Sequence, residues 1–150
     1  MITTKLRQVL AAKHLAHAYL LAGPRGIGKR SAALLMAKAV LCDEHPREIR
    51  TACPCNSCRA VESAMHPDLF HLSCKDTEKA REISIDDVRE LKNRFLLTAS
   101  FGGYKIAVIE RVELLGREAA SAMLKLLEEP SGEALIIMTS DRPRSVLATS

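Results

Sequence analysis

The sequence contains no tryptophan, and aromatic residues make up only 3% of its 150 residues. Because proteins that bind single-stranded nucleic acid without sequence preference stack the bases on aromatic side chains, this scarcity argues against that mode of binding. No apolar run reaches the roughly 18 residues that a membrane-spanning helix needs, and the opening MITTKLRQVL lacks the apolar core and cleavage site of a secretory signal. We therefore expect a cytoplasmic protein with no membrane partner.

The remaining composition is that of an ordinary globular domain. Hydrophobic residues make up 47% of the chain and charged residues 27%, with a formal net charge of +4. A chain of this length can bury one sizeable core. The mildly basic charge permits proximity to nucleic acid but does not by itself indicate it.

Short apolar runs alternate with helical patterns along the chain. Since a parallel sheet buries both of its faces, its strands are apolar throughout, and helices connect them. The sequence therefore predicts an α/β fold, a P-loop NTPase type of parallel sheet with helices on both faces. The predicted strands are 17–23, 68–74, one within 102–110 after an opening turn, and 134–140. The predicted helices are 3–14, 28–41, 84–95 and 117–129.

A glycine-rich segment, GPRGIGKR from Gly23, follows the first predicted strand. It matches the P-loop pattern G-x-x-x-x-G-K-[ST] at every fixed position except the last. Such glycines let backbone N–H groups face an anion, and the lysine reaches the outer phosphates of ATP or ADP. The predicted phosphate contacts are Gly23, Gly26, Gly28 and Lys29. At the final position Arg30 replaces the hydroxyl that would bind Mg²⁺, and a guanidinium has only donors. The alternative is a chance glycine-rich turn.

The third predicted strand ends in IAVIERVELL. P-loop ATPases place an acid here to organise Mg²⁺, often followed by a glutamate that polarises the attacking water. Glu110 is a candidate for the metal-side carboxylate, but Arg111 occupies the position of the water-activating glutamate. Loss of a general base costs roughly 10²–10⁴-fold in rate, and Glu113, two residues further on, is a poor substitute. Arg30, Glu110 and Arg111 are therefore degenerate catalytic positions, and we predict no hydrolysis.

Several stretches resemble the N-terminal AAA+ domain of bacterial DNA polymerase III clamp-loader subunits. They are HAYLLAGPRGIGK, ISIDDVRELKNRF, GGYKIAVIERVELL and AASAMLKLLEEPSG, together with a cysteine cluster followed by HPDLFHL. The LLEEP segment is a specific marker of that family. An unrelated P-loop kinase is the alternative from another class, but it leaves LLEEP and the cysteines unexplained.

The family contains an ATP-hydrolysing gamma/tau subunit and a similar delta-prime subunit that is commonly degenerate at the catalytic positions. Arg30, Glu110 and Arg111 place this chain nearer to delta-prime, with an active gamma/tau-like motor as the alternative. The resemblance implies a non-hydrolysing subunit whose partners are gamma/tau, delta, the sliding clamp and primer–template DNA. It further implies that Thr139 lies at the position of a γ-phosphate sensor, and that lid and collar domains follow residue 150.

Four of the five cysteines, Cys42, Cys53, Cys55 and Cys58, supply the ligand number of a closed structural zinc site. The family carries a zinc module after the P-loop helix, here expected at 42–58. In the family, three of the cysteines are spaced C-x2-C-x2-C, whereas here Cys53 and Cys55 are separated by one residue. Cys55 and Cys58 keep the family spacing and are therefore the best supported pair of zinc ligands. The alternative is a set of free buried thiols. Cys74, at the end of a predicted strand, is expected to be a core thiol.

Overall fold

A computed structural model of the chain describes residues 2–11, 17–44, 46–48, 53–63, 65–73, 83–96, 104–128 and 133–141. In chain order the elements are α1 (Ile2–Ala11), β1 (Ala18–Ala22), α2 (Lys29–Leu41), α3 (Asn56–Glu62), β2 (Leu69–Leu72), α4 (Ile85–Leu96), β3 (Lys105–Ile109), a 3-10 turn (Val112–Leu114), α5 (Arg117–Glu128) and β4 (Ala134–Ser140). Among the described helices, none is long and apolar enough to cross a membrane.

The described strands form one parallel sheet in the order β1-β4-β3-β2. β4, the last strand in sequence, is inserted between β1 and β3, where Ala22 pairs with Ser140 and Ile109 with Met138. The carboxyl ends of the strands therefore lie along one edge, where open α/β sheets carry their ligand sites.

Each face of the sheet is covered by helices, which confirms the predicted α/β architecture. Alternate residues of a strand point to opposite faces. In β3, Ile106 and Val108 pack with α1 and α2, whereas Ala107 and Ile109 pack with α4 and α5. All four of these side chains are completely buried, so β3 is covered on both faces, as expected of an interior strand of the sheet.

The start of α4 follows the prediction closely. Ser84 precedes the helix, and its hydroxyl accepts the N–H of Asp87 at 3.3 Å. The Asp87 carboxylate in turn accepts the N–H of Ser84 at 3.2 Å. This reciprocal pair is a capping box, which satisfies two N–H groups that the helix itself leaves without partners.

The sequence did not predict α3, a helix of seven residues inside the cysteine segment. The parts of the predicted elements at 12–14, 74, 102–103 and 129 lie outside the described residues, as does Cys74.

Candidate functional site

The loop between β1 and α2 has the backbone shape that its glycines predict. Gly26 and Gly28 have φ values of 84° and 90°, in a region that residues with a side chain rarely adopt. Gly28 is also the N-cap of α2. The loop is fixed to the sheet because the N–H of Gly23 donates to the carbonyl of Ser140 at 3.1 Å. Because α2 begins at Lys29, the positive end of its dipole lies at this loop.

Lys29, the first residue of α2, turns its side chain back into the loop. Its Nζ donates to the carbonyl oxygens of Gly23 and Pro24 at 2.5 and 2.8 Å. It also lies 2.7 Å from Oδ1 of Asp141, the residue that directly follows β4. The hydrogen bond from Lys29 holds the pKa of the Asp141 carboxyl below its usual range, against the opposing effect of burial.

Arg30 and Glu110, two of the predicted degenerate positions, meet across the edge of the sheet. Nε of Arg30 lies 3.4 Å from Oε1 of Glu110. The other carboxylate oxygen, Oε2, is 2.7 Å from Nε2 of His71 on β2. Both oxygens of the candidate metal-side carboxylate thus have nitrogen partners. Mg²⁺ takes oxygen ligands, and Arg30 supplies only N–H donors at the position of the usual P-loop hydroxyl, so this edge lacks one of the oxygen ligands of a P-loop magnesium site.

Arg111 and Thr139 face each other at the ends of β3 and β4. The N–H of Arg111 donates to Oγ1 of Thr139 at 3.0 Å, and Arg111 adopts a left-handed backbone with φ of 57°. Its Nε lies 3.6 Å from Oδ2 of Asp141. Glu113 accepts the N–H of Asp141 at 2.8 Å, so its carboxylate serves a structural contact. The predicted role of Thr139 as a phosphate contact stays a prediction.

A mostly apolar cavity of about 350 Å³ adjoins the loop between α1, β1 and α2. Leu6 and Val9 of α1 line it together with Tyr19 of β1, and Lys29 also contributes to the lining. The cavity thus extends from the candidate phosphate loop along the outer strand of the sheet.

The four predicted cysteine ligands converge at the far end of α2. All four sulfurs lie within 4.8 Å of one another, and each residue is buried. Sγ of Cys42 is 3.6 Å from that of Cys53 and 3.8 Å from that of Cys55. Tetrahedral zinc with Zn–S bonds of about 2.3 Å requires sulfurs about 3.8 Å apart, so the cluster fits Zn²⁺. The shorter C-x-C spacing does not keep Cys53 out of the cluster.

The local fold prepares at least one of these sulfurs to be a thiolate. Burial alone would raise the pKa of the Cys55 thiol, but N–H groups of Cys58 and Asp43 lower it to about 6. Cys55 is the N-cap of α3, which explains why the N–H of Cys58 points at its sulfur, whereas Asp43 lies just beyond the end of α2. Lys38, buried on α2, pairs with Glu62 and adds a positive charge beside the thiols of Cys53 and Cys58.

Two residues of the loop region were missed by sequence reasoning. Asp141 could have been predicted, because it directly follows an apolar strand, and ligands of open α/β sheets bind at the carboxyl ends of the strands. His71 carried none, since its contact with Glu110 depends on the pairing of β2 with β3.

A glycine loop that joins the first strand of a parallel sheet to a helix, with a lysine turned into the loop, defines the class of P-loop α/β domains. The family model described as "DNA polymerase III, delta subunit" matches residues 1–150. The chain belongs to this family, which confirms the resemblance to DNA polymerase III subunits.

Two curated relatives and one crystal structure give the same picture. Over 138 residues the chain is 41% identical to DNA polymerase III subunit delta′ of Pseudomonas aeruginosa, covering 92% of this chain and 41% of that protein. It is 33% identical over 148 residues to DNA polymerase III subunit tau of Bacillus subtilis, covering 99% of this chain and 25% of that protein. A DNA polymerase III gamma subunit-related protein of Thermotoga maritima shares the fold, with a TM-score of 0.66 at 21% identity, over 99% of this chain and 42% of that one. The chain thus spans less than half the length of each.

Proposed function

We propose that this chain is the nucleotide-binding-like domain of a delta-prime-type clamp-loader subunit that does not hydrolyse ATP. In this role the subunit helps other subunits to load the sliding clamp on primed DNA. The proposal rests chiefly on one observation, the contact between Arg30 and Glu110.

That contact lies where a P-loop ATPase would bind magnesium, which supports the proposal. A P-loop ATPase holds Mg²⁺ between a hydroxyl at the start of the helix and a carboxylate at the end of another strand of the sheet. Here the hydroxyl is replaced by the guanidinium of Arg30, and the carboxylate of Glu110 faces that guanidinium and His71. Two nitrogen groups thus surround the carboxylate that an ATPase would offer to a cation.

Water activation is missing for a separate reason. Arg111 has no acceptor for the proton of an attacking water, because a guanidinium carries donors only. Glu113 is the first acid after Arg111, and its Oε2 accepts the N–H of Asp141. Two independent losses therefore favour a subunit without its own ATPase activity.

The features that this chain shares with P-loop ATPases, and its cysteine cluster, are compatible with a structural role in the complex. The glycine loop and Lys29 are kept, so weak binding of ATP or ADP is compatible with the proposal. The four-cysteine cluster would hold a structural Zn²⁺, with all ligand positions filled by sulfur and none open for catalysis. The proposed partners are the gamma/tau and delta subunits and, through the complex, the sliding clamp and primer–template DNA.

A gamma/tau-like motor is the second candidate. The observation that favours it is the 33% identity to the tau subunit of Bacillus subtilis over nearly the whole chain, with the P-loop lysine in place. This candidate predicts that Lys29 is essential for ATP turnover.

Reconstitution of the clamp loader from full-length subunits separates the two candidates. We expect clamp loading on primed DNA to be lost when the subunit is omitted. We expect Lys29→Ala in this subunit to leave the ATP turnover of the complex unchanged. The matched control replaces the P-loop lysine of the ATPase subunit by alanine, which should lower turnover by an order of magnitude or more. Equal losses from the two substitutions would favour the motor.

A further inference from the structure

The carboxylate of Asp141 lies where three cationic side chains converge. It is 2.7 Å from Nζ of Lys29, 3.6 Å from Nε of Arg111 and 3.7 Å from Nε of Arg25. Lys29 and Arg25 belong to the glycine loop and its helix, whereas Asp141 and Arg111 follow the neighbouring strands. The carboxylate therefore bridges the loop to the edge of the sheet.

This contact completes the hydrogen-bonding capacity of Lys29. An ammonium group has three N–H donors. The three acceptors are the carbonyl oxygens of Gly23 and Pro24 and Oδ1 of Asp141. A phosphate oxygen can bond to Lys29 only by displacing one of them. The two carbonyls belong to the loop backbone, so Lys29 could lose them only if the loop changed its conformation. The carboxylate is the one acceptor that could be displaced while the loop keeps its shape.

Two backbone contacts keep Asp141 in this place. Its N–H donates to Oε2 of Glu113, and the preceding residue, Ser140, accepts the N–H of Gly23. Within the described part of the chain, the buried Nε of Arg111 has no hydrogen-bond acceptor, although it faces the same carboxylate. The site thus retains an unused donor beside the Asp141 carboxylate. The Glu113 carboxylate is held at the Asp141 backbone through Oε2, and its buried Oε1 has no hydrogen-bond partner among the described residues.

We propose that the Asp141 carboxylate is an internal ligand of Lys29 that competes with phosphate for the loop. Asp141 is then a specificity-determining residue, because only an anion of higher charge than a carboxylate gains enough from Lys29, Arg25 and Arg111 to replace it. The inference rests on the proposed identity of the segment as a phosphate loop, and it does not depend on the absence of hydrolysis.

Titration of the full-length protein with inorganic triphosphate, without Mg²⁺ and at constant ionic strength, tests the proposal. We expect Asp141→Asn to bind triphosphate about tenfold or more tightly than the wild type, since the competing charge is gone. The matched control is Glu133→Gln, which removes an exposed carboxylate at the opposite end of β4 and should bind like the wild type. The gain should vanish in the double variant Asp141→Asn/Lys29→Ala.

Equal affinity of Asp141→Asn and the wild type would overturn the proposal, as would a gain that survives the loss of Lys29. Asp141→Ser takes the place of Asp141→Asn if circular dichroism shows that the amide variant does not fold, with the same expected and contrary results. ATP turnover by Asp141→Asn would contradict the proposed function and leave this inference standing, so the two can fail separately.

Discussion

Two ion pairs of the loop region differ sharply in exposure. The side chain of Arg30 is 66% exposed, whereas that of Lys29 is 9% exposed and that of Asp141 19%. Exposed pairs contribute about 0–1 kcal/mol to stability, because water screens the charges and the long side chains lose freedom. The contact between Arg30 and Glu110 is therefore expected to add little to stability, whereas the less exposed contact between Lys29 and Asp141 is expected to add more.

The stability contribution of Asp141 has a defined dependence on pH. The pKa of Asp141 is lowered in the folded protein, whereas an unfolded aspartate titrates at about 3.9. A lowered folded pKa gives stability that is fully present above the unfolded pKa and is lost as the pH falls through the folded pKa. We expect Asp141→Asn to reduce the free energy of unfolding by about 1–3 kcal/mol between pH 5 and 8. Below about pH 4 the unfolding free energies of the wild type and the variant should approach each other.

Urea unfolding at several pH values measures this difference. Glu133→Gln, at the exposed start of β4, is the control and should stay close to the wild type throughout. A destabilisation by Asp141→Asn that is as large at pH 3 as at pH 7 would show that the carboxylate charge is not its cause.

At the scale of elements, α3 depends on the cysteine cluster. The helix has seven residues, fewer than an isolated helix needs to be stable in water. Its N-cap is Cys55 and its first turn contains Cys58, so two candidate zinc ligands fix its start. The sulfurs form a buried cluster distinct from those on the two faces of the sheet. Metal binding should therefore order this segment without being needed for the sheet.

Removal of the metal tests whether α3, but not the sheet, depends on it. We expect about one zinc ion per chain in the purified protein, and its chelation under reducing conditions should accelerate amide exchange in 53–63 while β3 and β4 stay protected. Cys58→Ser should lose the zinc, whereas Cys74→Ser, the control, should retain it. Equal zinc content in wild type and Cys58→Ser would rule out the cluster as the site.

The elements that the sequence predicted are those specified by local pattern. The strands are continuous apolar runs, the loop needs its glycines at fixed spacing, and Ser84 with Asp87 sets the start of α4. Contacts between distant segments were not predictable in this way. The insertion of β4 between β1 and β3 brings Asp141 to Lys29, and the pairing of β2 with β3 brings His71 to Glu110. α3 was missed because it is short and its start is set by cysteines that converge from distant positions, and its sequence has no helical periodicity that would predict it.

At the scale of the whole molecule, the sheet gathers the residues of the candidate site at one edge. The carboxyl ends of β1, β3 and β4 bring the loop, Glu110, Arg111 and Asp141 together, and the cysteine cluster lies at the other end of α2. The chain thus keeps the form of a P-loop domain while the side chains at its edge pair with each other.

Steady-state ATP hydrolysis by the isolated full-length protein tests the central claim most directly. In the presence of Mg²⁺, we predict that the wild type releases phosphate no faster than its Lys29→Ala variant. Turnover by the wild type that requires Mg²⁺ and disappears in Lys29→Ala would contradict the account.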